Sequence, residues 1–216
     1  MPQLELDIVT HAEGYGDHAR TRLVTEAARL THRAIATVAP HVRIAQRSFD
    51  HNEQSNLVTA RYDTPGRRQT DILDYLVAQH LQRKKFGIDP SLKVISFIPG
   101  PTRLKETDRD GGEIKYPYGF SLEEYSEGAV AVDEILDLVP QRRARAAAAI
   151  LAYTAVHEVG HLLGLVRPPR GDSDKHCGRL CVMNSTPTPE DTGRAIGEMG
   201  GRILFCADCR LDLRKA

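Results

Sequence analysis

His157-Glu158-Val159-Gly160-His161 sets two imidazoles four residues apart, with a carboxylate beside the first. On a helix this spacing stacks both rings on one face, one turn apart, so they can share a metal ion. Neutral imidazole suits Zn²⁺, and a zinc site that keeps a water takes three protein ligands. The ion lowers the pKa of that water to about 7, and Glu158 stands where it can take the water's proton, so attack on a carbonyl becomes feasible at neutral pH. The bland alternative is a helix face carrying two paired histidines.

A second cluster lies in the last forty residues, which hold all four cysteines: Cys177, Cys181, Cys206 and Cys209. In a reducing compartment such clustering reads as metal binding before it reads as disulfides. Four thiolates at about 2.3 Å from zinc make a closed site that contributes folding free energy. A redox pair at Cys206 and Cys209 is the alternative, but no thioredoxin-like βαβ pattern surrounds it.

The histidine pair needs a third ligand. Gly164 follows the motif where a helix can end in the left-handed conformation and let the chain turn back. His176 is the candidate that the chain then reaches, with Asp172 or Asp174 as substitutes; with neither, two protein ligands would leave a weak or dead site. Pro168-Pro169 and Gly171 suit a loop, and closing a longer loop adds little entropic cost.

These residues resemble the metzincin metallopeptidases and, within them, the archaemetzincins, whose pattern is HExxHxxGxxHC followed by a cysteine and CxM, then CxxC. The resemblance is close from about Ala155 to Leu213 and looser from Ile72. It implies a zinc-dependent hydrolase of peptides or proteins. It further implies His157, His161 and His176 as catalytic zinc ligands, Glu158 as general base and acid, and Met183 in the apolar turn beneath the metal. By the same resemblance Cys177, Cys181, Cys206 and Cys209 hold a second, structural zinc. The chain departs from the family between Gly164 and His176, where eleven residues, Leu165 to Lys175, stand in place of two, and Arg167 occupies the usual histidine position. Arginine stays protonated and cannot coordinate zinc. The spacing between Cys177 and Cys181 is one residue shorter than the family's.

The elements that must position these groups follow from periodicity. Leu4 to Val9 alternates like a strand, and Asp17 to Val38 repeats apolar residues at helical spacing up to Pro40. Val42 to Phe49 and Asn56 to Tyr62 are extended, and a second helix is expected from Arg67 to Phe86. Leu92 to Ile98, apolar and β-branched between prolines, predicts a central buried strand. Asp110-Gly111-Gly112 signals a loop or hairpin, Pro117 an edge, and Gly128 to Val132 a further strand. Gly128 to Asp133 also resembles the family's substrate-side strand, whose exposed edge would pair with an extended peptide. Pro140 opens the long helix that carries the histidine motif through Leu165, and the last fifty residues read as loop-rich.

The fold class expected is therefore α/β (α+β): a twisted mixed sheet packed by helices, an active-site helix, and a zinc-clamped C-terminal part. One domain is expected over 1–216, with residues 1–164 ending in the active-site helix and 165–216 carrying the cysteine site.

With 29 Lys+Arg against 29 Asp+Glu, the net charge is zero, which argues against nucleic acid or an anionic membrane as partner. A zinc ribbon binding nucleic acid, suggested by the cysteines and by Arg210, Arg214 and Lys215, is disfavoured on the same ground. No run approaches the eighteen or so apolar residues of a membrane span, and the start lacks a basic segment before an apolar core, so a cytoplasmic protein is expected; a monomer is the separate expectation for its assembly. The rival to an enzyme is a catalytically silent binding protein organised by the four-cysteine zinc.

Overall fold

In the computed structural model, residues 4–11, 15, 17–49, 61–64, 67–89, 91–100, 102–103, 118–139, 143–166 and 176–214 are described. The loop signals at 110–112, Pro117, Pro140, residues 56–60 and the segment 167–175 with Asp172 and Asp174 lie outside them.

Strand β1 (Glu5–His11) leads through α1 (His18–Val38) to β2 (Arg43–Phe49), which lies parallel to it. Asp17 starts α1 as its N-cap, accepting the backbone N–H of Arg20 at 2.7 Å. β5 (Lys93–Ile98) pairs with the other side of β1, and β8 (Glu127–Ala131) pairs with β5, both parallel. β7 (Gly119–Leu122) closes the sheet antiparallel to β8, giving the order β2-β1-β5-β8-β7.

Alternation along the strands sends the two sets of side chains to opposite faces. Leu6, Ile8, Ile95, Phe97 and Val130 join the core cluster that α1 shares with α4 (Ala144–Leu162). Ile98, Ala129 and Ala131 pack with Ile72 and Leu76 of α2 (Ile72–Lys85). The sheet is thus covered on both faces, as its largely apolar central strands require. α4 is buried along most of its length, including Leu151, Val156 and Val159, so its position is set by core packing on either side of the histidine motif.

Two expectations about the strands change. The segment expected as the first turns of α2 is strand β4 (Arg67–Asp71), paired antiparallel with β3 (Arg61–Thr64) and parallel with the short β6 (Thr102–Arg103). Its sequence is polar and carries no helical stripe; the apolar stripe starts at Ile72, where the helix starts. The strand containing Gly128 is not an edge: it lies between β5 and β7, and among the described residues β7 is the outermost strand on that side.

The C-terminal part is less loop-rich than expected. It holds α5 (Pro189–Glu198) and α6 (Ala207–Leu213), and its Val182, Met183, Met199, Phe205 and Leu213 join the main core. Between β8 and α4 runs α3 (Val132–Leu138), whose Asp133 and Asp137 both receive Arg20 of α1, at 2.7 and 2.9 Å.

Candidate metal centres and cleft

The histidine motif occupies the last turns of α4. The helix stops as expected: Gly164 takes φ +71°, its N–H donates to His161 O at 2.8 Å, and Leu165 N–H donates to Gly160 O at 3.0 Å. This pair of bonds is a Schellman closure, which satisfies terminal carbonyls and turns the chain away from the helix axis.

His176 stands beside the motif despite the eleven intervening residues. One nitrogen from each of His157, His161 and His176 lies within 4.8 Å of the others, and the Nε2 atoms of His157 and His161 are 3.1 Å apart. Zn–N bonds of about 2.0–2.1 Å in a tetrahedron place ligand nitrogens about 3.4 Å from one another, so the triad fits zinc. His157 Nδ1–H donates to Val182 O at 2.8 Å, which leaves Nε2 as the lone-pair nitrogen turned toward its neighbours. Burial, with help from the two neighbouring histidines, pushes His157 down to about 3, so the ring stays neutral as a ligand must.

Glu158 is 7% exposed and shares the next helical position. Burial lifts its carboxyl to about 7, against the pull of a hydrogen bond from the Ser121 side chain on β7. A carboxyl poised near neutrality can both take and return a proton. Gly119, also on β7, makes room for it: a Cβ there would lie 2.6 Å from both Glu158 Oε1 and Thr154 Cγ2.

A cleft of about 460 Å³ is lined by His157 and His176 of the triad and by Glu158, together with Tyr118 and Gly119, Tyr153 and Thr154 of α4, and a wall at Thr186 and Thr188. That last wall is held by α5, whose Thr188 caps the helix by accepting Asp191 N–H at 3.1 Å, ahead of Pro189 in the first turn.

The thiol cluster adjoins the triad. Sulfurs of Cys177, Cys181, Cys206 and Cys209 lie within 4.8 Å of one another, and Cys177 Sγ is 3.7 Å from Cys206 Sγ. Tetrahedral Zn–S bonds of about 2.3 Å require about 3.8 Å between sulfurs, so this set also fits zinc. Burial and the neighbouring sulfurs raise the Cys177 thiol. Met183 is fully buried beneath α4, against Gly160.

All seven ligand candidates expected from sequence are therefore brought into two groups, and Glu158 faces the cleft. Four contributors were missed. Gly119 and Ser121 lie in a four-residue strand with no periodic signal. Tyr153 reads as one more buried residue of α4. The wall at 186–188 had a signal, Thr188-Pro189 with Glu190 and Asp191, that marks a helix start.

No family model and no curated protein matches the sequence. Solved structures do match. A zinc-dependent peptidase from Methanocorpusculum labreanum superposes with TM-score 0.63 at 15% identity, over 96% of this chain and 99% of that one. Archaemetzincin from Methanopyrus kandleri superposes with TM-score 0.63 at 17% identity, over 99% of this chain and 94% of its own. Metalloproteinase-II from Bacteroides fragilis gives TM-score 0.50 at 13% identity, with 98% of this chain against 52% of that one. The chain thus has the fold of the archaemetzincins, as the resemblance of its motifs implied.

Proposed function

We propose that this chain is a zinc metallopeptidase whose catalytic ion is held by His157, His161 and His176, with Glu158 as general base and acid. A second, structural zinc is held by Cys177, Cys181, Cys206 and Cys209. The observation that carries the reading is the convergence of three histidine nitrogens within 4.8 Å, two of the histidines lining a cleft that Glu158 also lines. The fold shared with a zinc-dependent peptidase supports it.

The bound ion supplies Lewis acidity, polarising the scissile carbonyl and acidifying a water. The chain's own groups do the rest. Val182 O fixes the His157 tautomer, and burial keeps that ring neutral. Glu158, lifted to about 7, accepts the proton of the attacking water and returns it to the leaving amine. Ser121 orients the Glu158 carboxylate through its hydrogen bond. An extended peptide adds to the outer side of β7, the last strand of the sheet among the described residues, where an edge strand accepts another strand, and this lays its scissile bond along the cleft.

Glu158→Gln tests the reading. The variant is expected to keep its fold and its zinc while hydrolysis of a mixed peptide library falls by about 10²-fold or more. Undiminished hydrolysis would remove Glu158 from the mechanism. A wild-type protein that cleaves nothing while holding zinc only at the thiols would leave the silent binding protein in its place.

A further inference from the structure

Only the residues between the two clusters separate them, and those residues make hydrogen bonds to both. His176 and Cys177 are consecutive and belong one to each cluster, so a single peptide unit joins the triad to the thiols. Cys177 N–H donates to Met183 O at 2.7 Å, which ties that peptide unit to the segment 181–183.

That segment is the second connection. Val182 O receives His157 Nδ1–H at 2.8 Å, and Val182 N–H donates to Leu204 O at 2.8 Å. Immediately before it, Cys181 Sγ accepts the N–H of Met183 at 3.5 Å and of Cys206 at 3.2 Å. The third connection is Tyr153, 1% exposed and one helical turn before His157, whose hydroxyl donates to Cys181 O at 3.2 Å.

We propose that the thiol cluster is a positioning element for the histidine triad, and that metal occupancy at the two is thermodynamically linked through Cys181, Val182 and Tyr153. This rests on the zinc reading of both clusters given above. A filled thiol cluster fixes Cys177 and Cys181, and so fixes His176 and the carbonyl that orients His157. The triad then forms without ordering those groups itself. An emptied thiol cluster leaves two of the three nitrogen ligands without their outer support, which ordinarily weakens metal affinity by about 10–100-fold. Linkage is reciprocal, so zinc at the triad must tighten the thiol cluster by the same factor. The consequence is regulatory: conditions that strip the metal from the thiols weaken metal binding at the triad without touching a catalytic group.

The test measures zinc affinity at one cluster with the other disabled, in the full chain, by competition with a chromogenic chelator. Cobalt(II), whose thiolate complexes absorb strongly, identifies the thiol cluster. His161→Ala disables the triad while leaving every connection above in place, and the thiol cluster is expected to lose about tenfold in affinity. Cys209→Ser disables the thiol cluster at a ligand that carries none of the three connections, and the triad is expected to weaken by a similar factor. Tyr153→Phe keeps the ring and should reduce the coupling in both directions at unchanged metal count. Should Cys209→Ser fail to fold by circular dichroism, the His161→Ala result decides. Thiol-cluster affinity unchanged in His161→Ala overturns the linkage and leaves the peptidase reading intact. A wild-type triad that takes up no zinc overturns both.

Discussion

Gly160 lacks a side chain at the point where Met183 needs the room: a Cβ on Gly160 would fall onto Met183 Sδ and lie 2.9 Å from Met183 Cε. Gly160 stands between the two helical histidines, and Met183 is fully buried in the turn that orients His157 through Val182 O. The middle of the motif and the turn beneath it are therefore shaped to one another.

Gly160→Ala should force Met183 and its turn away from α4. Overpacking of this kind costs about 1–3 kcal/mol, and zinc affinity at the triad should fall with it because Val182 O moves. Met183→Ala in the same chain should recover part of the loss, since it removes the colliding sulfur. Chemical denaturation and zinc competition on the two single variants and the double variant measure this; additive losses would contradict the contact.

Gly119→Ala addresses the other side of the carboxylate. Its Cβ would lie 2.6 Å from Glu158 Oε1, so Glu158 must leave the position where Ser121 holds it. Turnover should drop at least tenfold while zinc content stays at the wild-type level, a split that steady-state kinetics beside metal analysis would reveal. Loss of zinc together with activity would mean that the substitution acts through the triad.

Arg83 and Glu127 form a buried pair under α2, 2.7 Å apart, with Arg83 also donating to the carbonyls of Asp89 and Leu92. Burial lifts Glu127 from 4.5 to about 8, opposed by the Arg83 guanidinium. The folded chain therefore holds the Glu127 proton more tightly than the unfolded chain. The stability this contributes is full below about 4.5 and is lost as pH rises through about 8. Relative to Glu127→Gln, the wild type should lose stability between those limits, and a pH-independent difference in denaturation midpoint would contradict the assignment. Arg83→Met, which removes the three bonds donated to Glu127, Asp89 O and Leu92 O and leaves those acceptors without their donor, should cost about 1–3 kcal/mol.

Much of this was legible in the sequence for physical reasons. α1, β5 and α4 announce themselves because each buries a continuous or periodic apolar set. The histidine motif and the cysteines carry fixed chemistry at short spacing, and His176 joined the triad because loop length adds little to closure cost. β4 was hidden because its five residues are polar and carry no apolar alternation, and its pairing with β3 is not written in local sequence. The edge role of β7 was hidden because strand order is a long-range property: Gly128 and Phe120 look equally strand-like until β8 is seen to pair on both sides. Thr188 and Pro189 did mark α5, and the glycines and prolines around them outweighed that signal.

The most direct measurement is zinc per chain by elemental analysis in the wild type, His157→Ala and His176→Ala, each dialysed against a weak chelator. Two candidate clusters lead us to expect two ions in the wild type and one in each variant, with His176 as a ligand equal to His157. Two ions retained in His176→Ala would take that histidine out of the site, and one ion throughout would contradict a catalytic zinc altogether.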